Sequence, residues 1–160
     1  MHFAGQQTVH VPREAVWTYL MDPHAVADCA PGFQGMQVLS PEEFKPTLGI
    51  GIGAVKATFT LDVHLMDLRE PEHIAMTGHG VAAGSATDLR AAMDLVMESE
   101  AVTTMRWAAD VNVSGKIASM GARLLESTAN KLTGRFFDCL RKKLEASAVP
   151  SAGASSGEAP

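Results

Sequence analysis

Residues 114–145, SGKIASMGARLLESTANKLTGRFFDCLRKKLE, read as one long helix, and the rest of the chain can be arranged around it. Ser114 has the chemistry of an N-cap, and no proline interrupts the run until Pro150. Arg141, Lys142 and Lys143 fall near its end, where cations complement the helix dipole. Such a helix is roughly 45 Å long at 1.5 Å per residue, too long for a small core unless it crosses a broad sheet. Its apolar stripe begins with Ile117, Met120, Gly121, Leu124, Leu125, Thr128 and Leu132, then shifts to Phe136, Phe137, Leu140 and Leu144. Gly134, at the changeover, permits a bend. Small residues in the first half (Ala118, Gly121, Ala122, Ala129) either bring the helix close to a sheet or leave room for a ligand.

The preceding residues supply the sheet. Residues 3–11 alternate as a first strand, and Pro12 then opens a helix over 13–21. Asp22-Pro23 starts a second short helix, which Ala30-Pro31-Gly32 ends. Strands follow over 35–39 and 43–52, joined at Ser40-Pro41-Glu42. In the second of these, Leu48, Ile50 and Ile52 share one face and glycines 49, 51 and 53 the other. This is no dinucleotide fingerprint, because a strand rather than a helix comes next. Over residues 53–66, Val55, Ala57, Phe59, Leu61, Val63 and Leu65 alternate with polar residues, as in an antiparallel sheet with one wet face. A strand over 73–80 follows the turn at Glu70-Pro71-Glu72. Residues 87–98 then put Leu89, Ala91, Met93, Leu95 and Met97 on one face, and 102–113 put Thr103, Met105, Trp107, Ala109, Val111 and Val113 together. The expected fold is α+β: a curved antiparallel sheet of about seven strands wrapped around one long C-terminal helix, with two short helices after strand 1. Residues 1–146 form the domain, and the Ala/Ser/Gly/Pro-rich stretch 147–160 is expected to be a disordered tail.

Composition bounds the function. The 160 residues suit one domain with a sizeable core. There is no spanning segment and no secretory signal. Two cysteines are too few for a disulfide framework, which fits a reducing cytoplasm. Cys139 is expected to be a small packing residue in the helix. The net charge of −5 argues against a nucleic-acid partner. From Lys116 to Glu145, however, seven basic residues face three acidic ones. That basic helix either meets an anionic lipid or acidic protein surface, or simply complements its own dipole.

Two segments give the chain a family resemblance: Val16-Trp17 through Leu20-Met21-Asp22-Pro23 to Ala30-Pro31-Gly32, and Gly115-Lys116-Ile117-Ala118-Ser119-Met120-Gly121-Ala122-Arg123-Leu124 followed by Arg135-Phe136-Phe137. With these, residues 3–144 resemble the carbon monoxide dehydrogenase G-subunit family of the START-like, helix-grip superfamily. The family's strand motif of glycine, proline, valine, lysine stands here as Gly53-Ala54-Val55-Lys56, without the proline. The resemblance implies a non-enzymatic accessory protein of a molybdenum-containing hydroxylase, in the cytoplasm and helping that enzyme reach the membrane. It also implies a lipophilic ligand, with a respiratory quinone as candidate and no covalently bound cofactor. Many members carry an apolar C-terminal extension. This chain stops at Pro160, so membrane contact is expected to be peripheral and reversible.

No catalytic or metal-binding constellation appears, and the six histidines lack ligand spacing. The expected ligand wall is Phe59, Met93, Met97, Thr103, Met105, Trp107, Met120, Gly121, Leu124 and Thr128. The methionines are adaptable gap-fillers that serve either a pliable pocket or an ordinary core. Thr103 and Thr128 either orient a ligand carbonyl or bond to backbone. Pro31, Gly32, Phe33 and Met36 are expected at the pocket mouth or against lipid. A cyclase or aromatase enzyme on the same fold is the alternative, and an adaptor with a filled cavity a third; few inward acid–base residues favour the carrier.

Overall fold

Strands β3 (Glu43–Ile52), β4 (Val55–Arg69), β5 (His73–Ala82), β6 (Ser85–Ser99) and β7 (Val102–Gly115) form where apolar and polar residues alternate. In this computed structural model, which describes the backbone of residues 1–157 and the side chains of 1–147, they join β1 (His2–Val9) and β2 (Phe33–Ser40) in one antiparallel sheet of order β1-β7-β6-β5-β4-β3-β2. Between β1 and β2 lie α1 (Arg13–Leu20) and α2 (Pro23–Ala27). Asp22 caps α2, its carboxylate accepting from the His24 and Ala25 amides at 3.1 and 3.3 Å. The long helix α3 (Ala122–Gly157) crosses the concave face, giving the helix-grip, START-like arrangement. The tail expected over 147–160 lies, from Ala148 on, outside the residues whose side chains are described.

The helix start differs from expectation. Ser114 and Gly115 are not a cap; they remain in β7, paired with Ala86 and Ser85. The Lys116 amide then donates to the Gly84 carbonyl at 2.9 Å, and the Ile117 amide to the Ser85 hydroxyl at 3.0 Å. These non-local bonds hold the chain to the sheet for a further turn, through a 3-10 segment, Ile117–Met120. Gly121, at φ 97°, then redirects the backbone into α3. From there α3 stays helical through Gly134.

Two apolar clusters pin α3 to the sheet at opposite ends. Phe137, Leu140 and Leu144 pack with Val9, Val11, Val16, Trp17, Leu95 and Met105. Ile117, with Met120, Leu124 and Leu125 against it, packs with Ile52 and Phe59. Cys29 belongs to the first cluster, and here the expectation that Cys139 is simply a small packing residue is corrected: Cys29 and Cys139, 110 residues apart, form a disulfide. The count of cysteines correctly excludes a framework; the single pair arises because the exit of α2 packs on the lower half of α3.

The basic residues near the end of that half are matched internally. Asp138 takes Arg141 at 3.0 Å and Lys142 at 3.1 Å, Glu145 takes Arg141 at 3.2 Å, and Lys143 lies 3.9 Å from Asp28. Glu145 also ties α3 to the end of β1, accepting from the His10 amide at 3.0 Å. That backbone bond, then the His10 ring and Arg141, hold the Glu145 carboxyl below its ordinary range. A depressed carboxyl contributes stability above its unfolded value and loses it as pH falls through the folded one. Glu145→Gln should therefore lower Tm at pH 7, with the deficit shrinking as pH is taken below the ordinary glutamate value of about 4.3. Thermal melts of both proteins across that range check this; a deficit independent of pH would remove the carboxylate's charge from the contact.

Candidate functional site

Between the two clusters the helix and sheet do not meet. The gap is a chamber of 440 Å³, within the range of small-molecule sites. Its sheet wall comes from inward positions of successive strands: Leu61, Val63 and Leu65 of β4, Leu89, Ala91 and Met93 of β6, and Trp107, Ala109 and Val111 of β7. Its helix wall is Ala129, Leu132, Thr133, Phe136 and Phe137. Val26, Ala27, Ala30 and Pro31 close one side, and Met36 and Phe44 also belong to the lining. A second cavity of 140 Å³ shares Leu48, Leu61, Val111, Ala129 and Leu132 with the first and extends past Ile50, Phe59 and Thr128. Alanines at 91, 109 and 129 are part of why the space exists: larger side chains there would fill it.

The walls are almost wholly apolar. Thr133 brings a hydroxyl to the larger chamber, but it donates to the Ala129 carbonyl at 2.7 Å. In the smaller cavity the Thr87 hydroxyl is similarly spent on the Asn112 carbonyl at 3.1 Å. Among the described residues, no side chain that titrates near neutrality lines either space. What the larger chamber does offer is aromatic surface. Trp107 stacks on Phe137 with centroids 5.0 Å apart at 14°, and Phe136 meets Phe137 edge-on at 5.2 Å. The charged groups lie on the sheet's other face, where histidines pair with carboxylates: His2 with Asp110 at 2.9 Å, His73 with Asp94 and His79 with Asp88, both at 2.7 Å. No cluster of metal-ligating residues occurs among the described residues.

The expected wall is partly reassembled. Met93, Trp107, Pro31 and Met36 line the larger chamber, and Phe59 and Thr128 the smaller. The others lie elsewhere. Thr103, fully buried, donates to the Val11 carbonyl at 2.7 Å and has no hydroxyl proton left for a ligand. Met105 beside it fills the lower cluster. Met97, near the end of β6, is 50% exposed although it pairs with the buried Thr103. Met120 and Leu124 pack on the upper cluster, and Gly121 is the exposed turn before α3. Gly32 and Phe33 sit beside the mouth without lining it. Sequence reading misses the closing segment: Val26, Ala27 and Ala30 belong to a helix and exit too short to show a periodic face, and only the proline and cap are visible in sequence.

The sequence profile of the CoxG family, named for the G subunit of carbon monoxide dehydrogenase, matches residues 5–145. No curated protein matches the chain. Among solved structures, a conserved protein from Geobacillus kaustophilus is 26% identical, with a TM-score of 0.85 over 92% of this chain and 97% of its own. A START superfamily protein from Mycobacterium smegmatis is 14% identical, with a TM-score of 0.71 over 91% and 97%. The Zhui aromatase/cyclase from a Streptomyces species is 16% identical, with a TM-score of 0.70 over 91% and 93%. The last two likenesses concern the fold alone.

Two outcomes are expected at this site. Gly32 has φ 72°, and a Cβ there would run into the Gly49 carbonyl, whereas Gly51 faces open space. Gly32→Ala should lower Tm by several degrees and Gly51→Ala should leave it within about a degree, since strain enters only where φ is positive and the space is taken. Equal melting of the two variants would contradict this backbone reading. Ala129→Leu should place a side chain at the junction of the two cavities at little cost in helix propensity. Binding of a fluorescent lipophile, titrated by emission, should fall at least tenfold while Tm holds or rises; unchanged affinity would take Ala129 out of the binding wall.

Proposed function

This chain belongs to the CoxG family of carbon monoxide dehydrogenase, and on that premise we propose that it is an accessory protein that carries a lipophilic molecule, a respiratory quinone, in its chamber. It serves a molybdenum-containing hydroxylase of the carbon monoxide dehydrogenase type at the cytoplasmic membrane surface. The single observation that carries the reading is the 440 Å³ chamber with apolar walls and an aromatic cluster. No helix among the described residues is long and apolar enough to cross a membrane, so contact with lipid is peripheral in this reading.

The mode of binding follows from the groups present. With Thr103 and Thr133 committed to backbone carbonyls, hydrogen bonds from these threonines do not orient the ring. Stacking can: a planar ring beds against Trp107 and Phe136 with the Met93 thioether at its edge. The isoprenoid chain then runs past Leu61, Val111 and Leu132 toward Phe59. Each methylene removed from water contributes up to about 0.8 kcal/mol, so the chain supplies most of the affinity. Cyclase chemistry on the same fold requires groups that move protons, and the larger chamber is lined by no acidic, basic or histidine side chain, which supports carriage over catalysis.

The test is a series of quinones with one headgroup and lengthening chains, titrated by quenching of Trp107 with Trp17→Phe as background, together with mass spectrometry of lipid extracted from freshly purified protein. Affinity should rise with chain length until the cavities are filled, and a quinone should be recovered. Affinity independent of chain length, with no lipid recovered, would overturn the reading in favour of an adaptor.

A further inference from the structure

The segment that closes the chamber meets α3 through Cys29, which packs in the lower cluster with Phe137, Leu140 and Leu144. Helix α2 caps onto Asp22 at its start, and the Tyr19 hydroxyl donates to the Ala25 carbonyl at 3.1 Å, so its first half moves with α1. Past the helix, the Gly32 carbonyl accepts from the Gly49 amide at 2.8 Å, fixing the far end to β3. Between these anchors Val26, Ala27, Ala30 and Pro31 form the wall. Toward α3 that wall is tied by the Cys29–Cys139 disulfide and by an exposed ion pair, Asp28 to Lys143, at 3.9 Å. Cys139 follows Phe136 and Phe137 by one turn or less, so the bridge joins the closing segment to the same stretch of helix that presents the aromatic wall.

We propose that the Cys29–Cys139 disulfide is a redox latch on the chamber: oxidised, it holds the closing segment against α3 and retains the ligand; reduced, it releases the segment and lets the ligand leave. The proposal rests on the carrier reading and adds its regulation. A lone bridge across 110 residues joins the lower cluster's Cys29, whose neighbours Val26, Ala27, Ala30 and Pro31 line the chamber, to α3. Cys139 is the less buried partner of the two. The reaction balances with a dithiol reductant. The S–S bond breaks, each sulfur gains one electron and one proton to become a thiol, and the dithiol, losing two of each, closes to its own disulfide. Re-oxidation by disulfide exchange reverses every step.

The experiment uses the full chain, oxidised, then reduced with dithiothreitol, with free thiols counted to confirm opening. N-phenyl-1-naphthylamine, a neutral lipophile that brightens in apolar surroundings, reports release by stopped-flow competition. Amide hydrogen exchange over residues 23–32 reports the segment directly, without ligand. Reduction should raise the release rate several-fold, since changes in affinity act mainly through dissociation, and should speed exchange over 23–32 while the β7 amides around Met105 keep their protection. Cys29→Ala with Cys139→Ala should behave as the reduced protein whether or not dithiothreitol is present. Equal release and exchange in the two redox states would overturn the latch. So would loss of β7 protection on reduction, which would make the bridge a staple of the whole fold. Faster exchange over 23–32 with no binding of the probe in either state would uphold the moving segment and overturn the carrier reading instead.

Discussion

One long helix cannot fill the trough of a seven-stranded sheet, and the organisation of this protein follows from that mismatch. A helix presents a stripe; the curved sheet presents a broad apolar face made by alternate residues of every strand. Large side chains from both bridge the gap at Phe137–Leu140–Leu144 below and at Ile117 above, where Leu124 and Leu125 pack partly buried against the cluster. Between them the facing residues include Ala91, Ala109 and Ala129, and a chamber remains. The two clusters thus supply stability while the middle of the helix is left free for binding. Lower-cluster residues such as Met105 and Leu140 are fully buried; chamber residues such as Met93 and Phe136 are only half so.

The face of each strand is legible in the sequence because the period of two is unambiguous once a run exceeds a few residues. Leu61, Val63 and Leu65, and Trp107, Ala109 and Val111, all point inward as their alternation requires. What is not legible depends on partners distant in sequence. Ser114 looks like a helix cap, but Gly84 and Ser85, some thirty residues earlier, hold the chain in the sheet, and Gly121 alone makes the turn. Alternation puts Thr103 on the correct face; its burial against Val11 depends on where the chain passes after β1. Met97 obeys the alternation, pairing with the buried Thr103, yet is exposed near the end of β6. The pairing of Cys29 with Cys139 requires knowing that α2 ends beside the lower half of α3.

The chemistry of the chamber is defined by where polar groups are not. On the sheet's opposite face histidines and carboxylates pair across strands, and on α3 Asp138 pairs with Arg141. The hydroxyls of Thr103 and Thr133 near the inner face are satisfied by carbonyls within the fold, so neither is left as an unpaired buried group. Recognition then rests on shape, dispersion and aromatic stacking. Such a site accommodates a family of long apolar molecules and discriminates by length and ring planarity more than by substituent.

A site of this kind binds through surface removed from water, and that sets the problem of release. Every methylene that strengthens binding also slows departure, because the ligand must cross into water or be handed directly to another apolar surface. A carrier with fixed walls would be tight and slow, or loose and fast. A wall that moves separates the two properties. Here the wall at residues 26–31 is a short helix and its exit, anchored at Tyr19–Ala25 on one side and Gly32–Gly49 on the other, with its remaining ties to α3 concentrated at one end. The sheet and the two clusters need not change when that segment does. On the proposed carrier and latch, stability and exchange fall to different parts of the chain: the clusters hold the fold, and the segment after α1 governs what enters and leaves it.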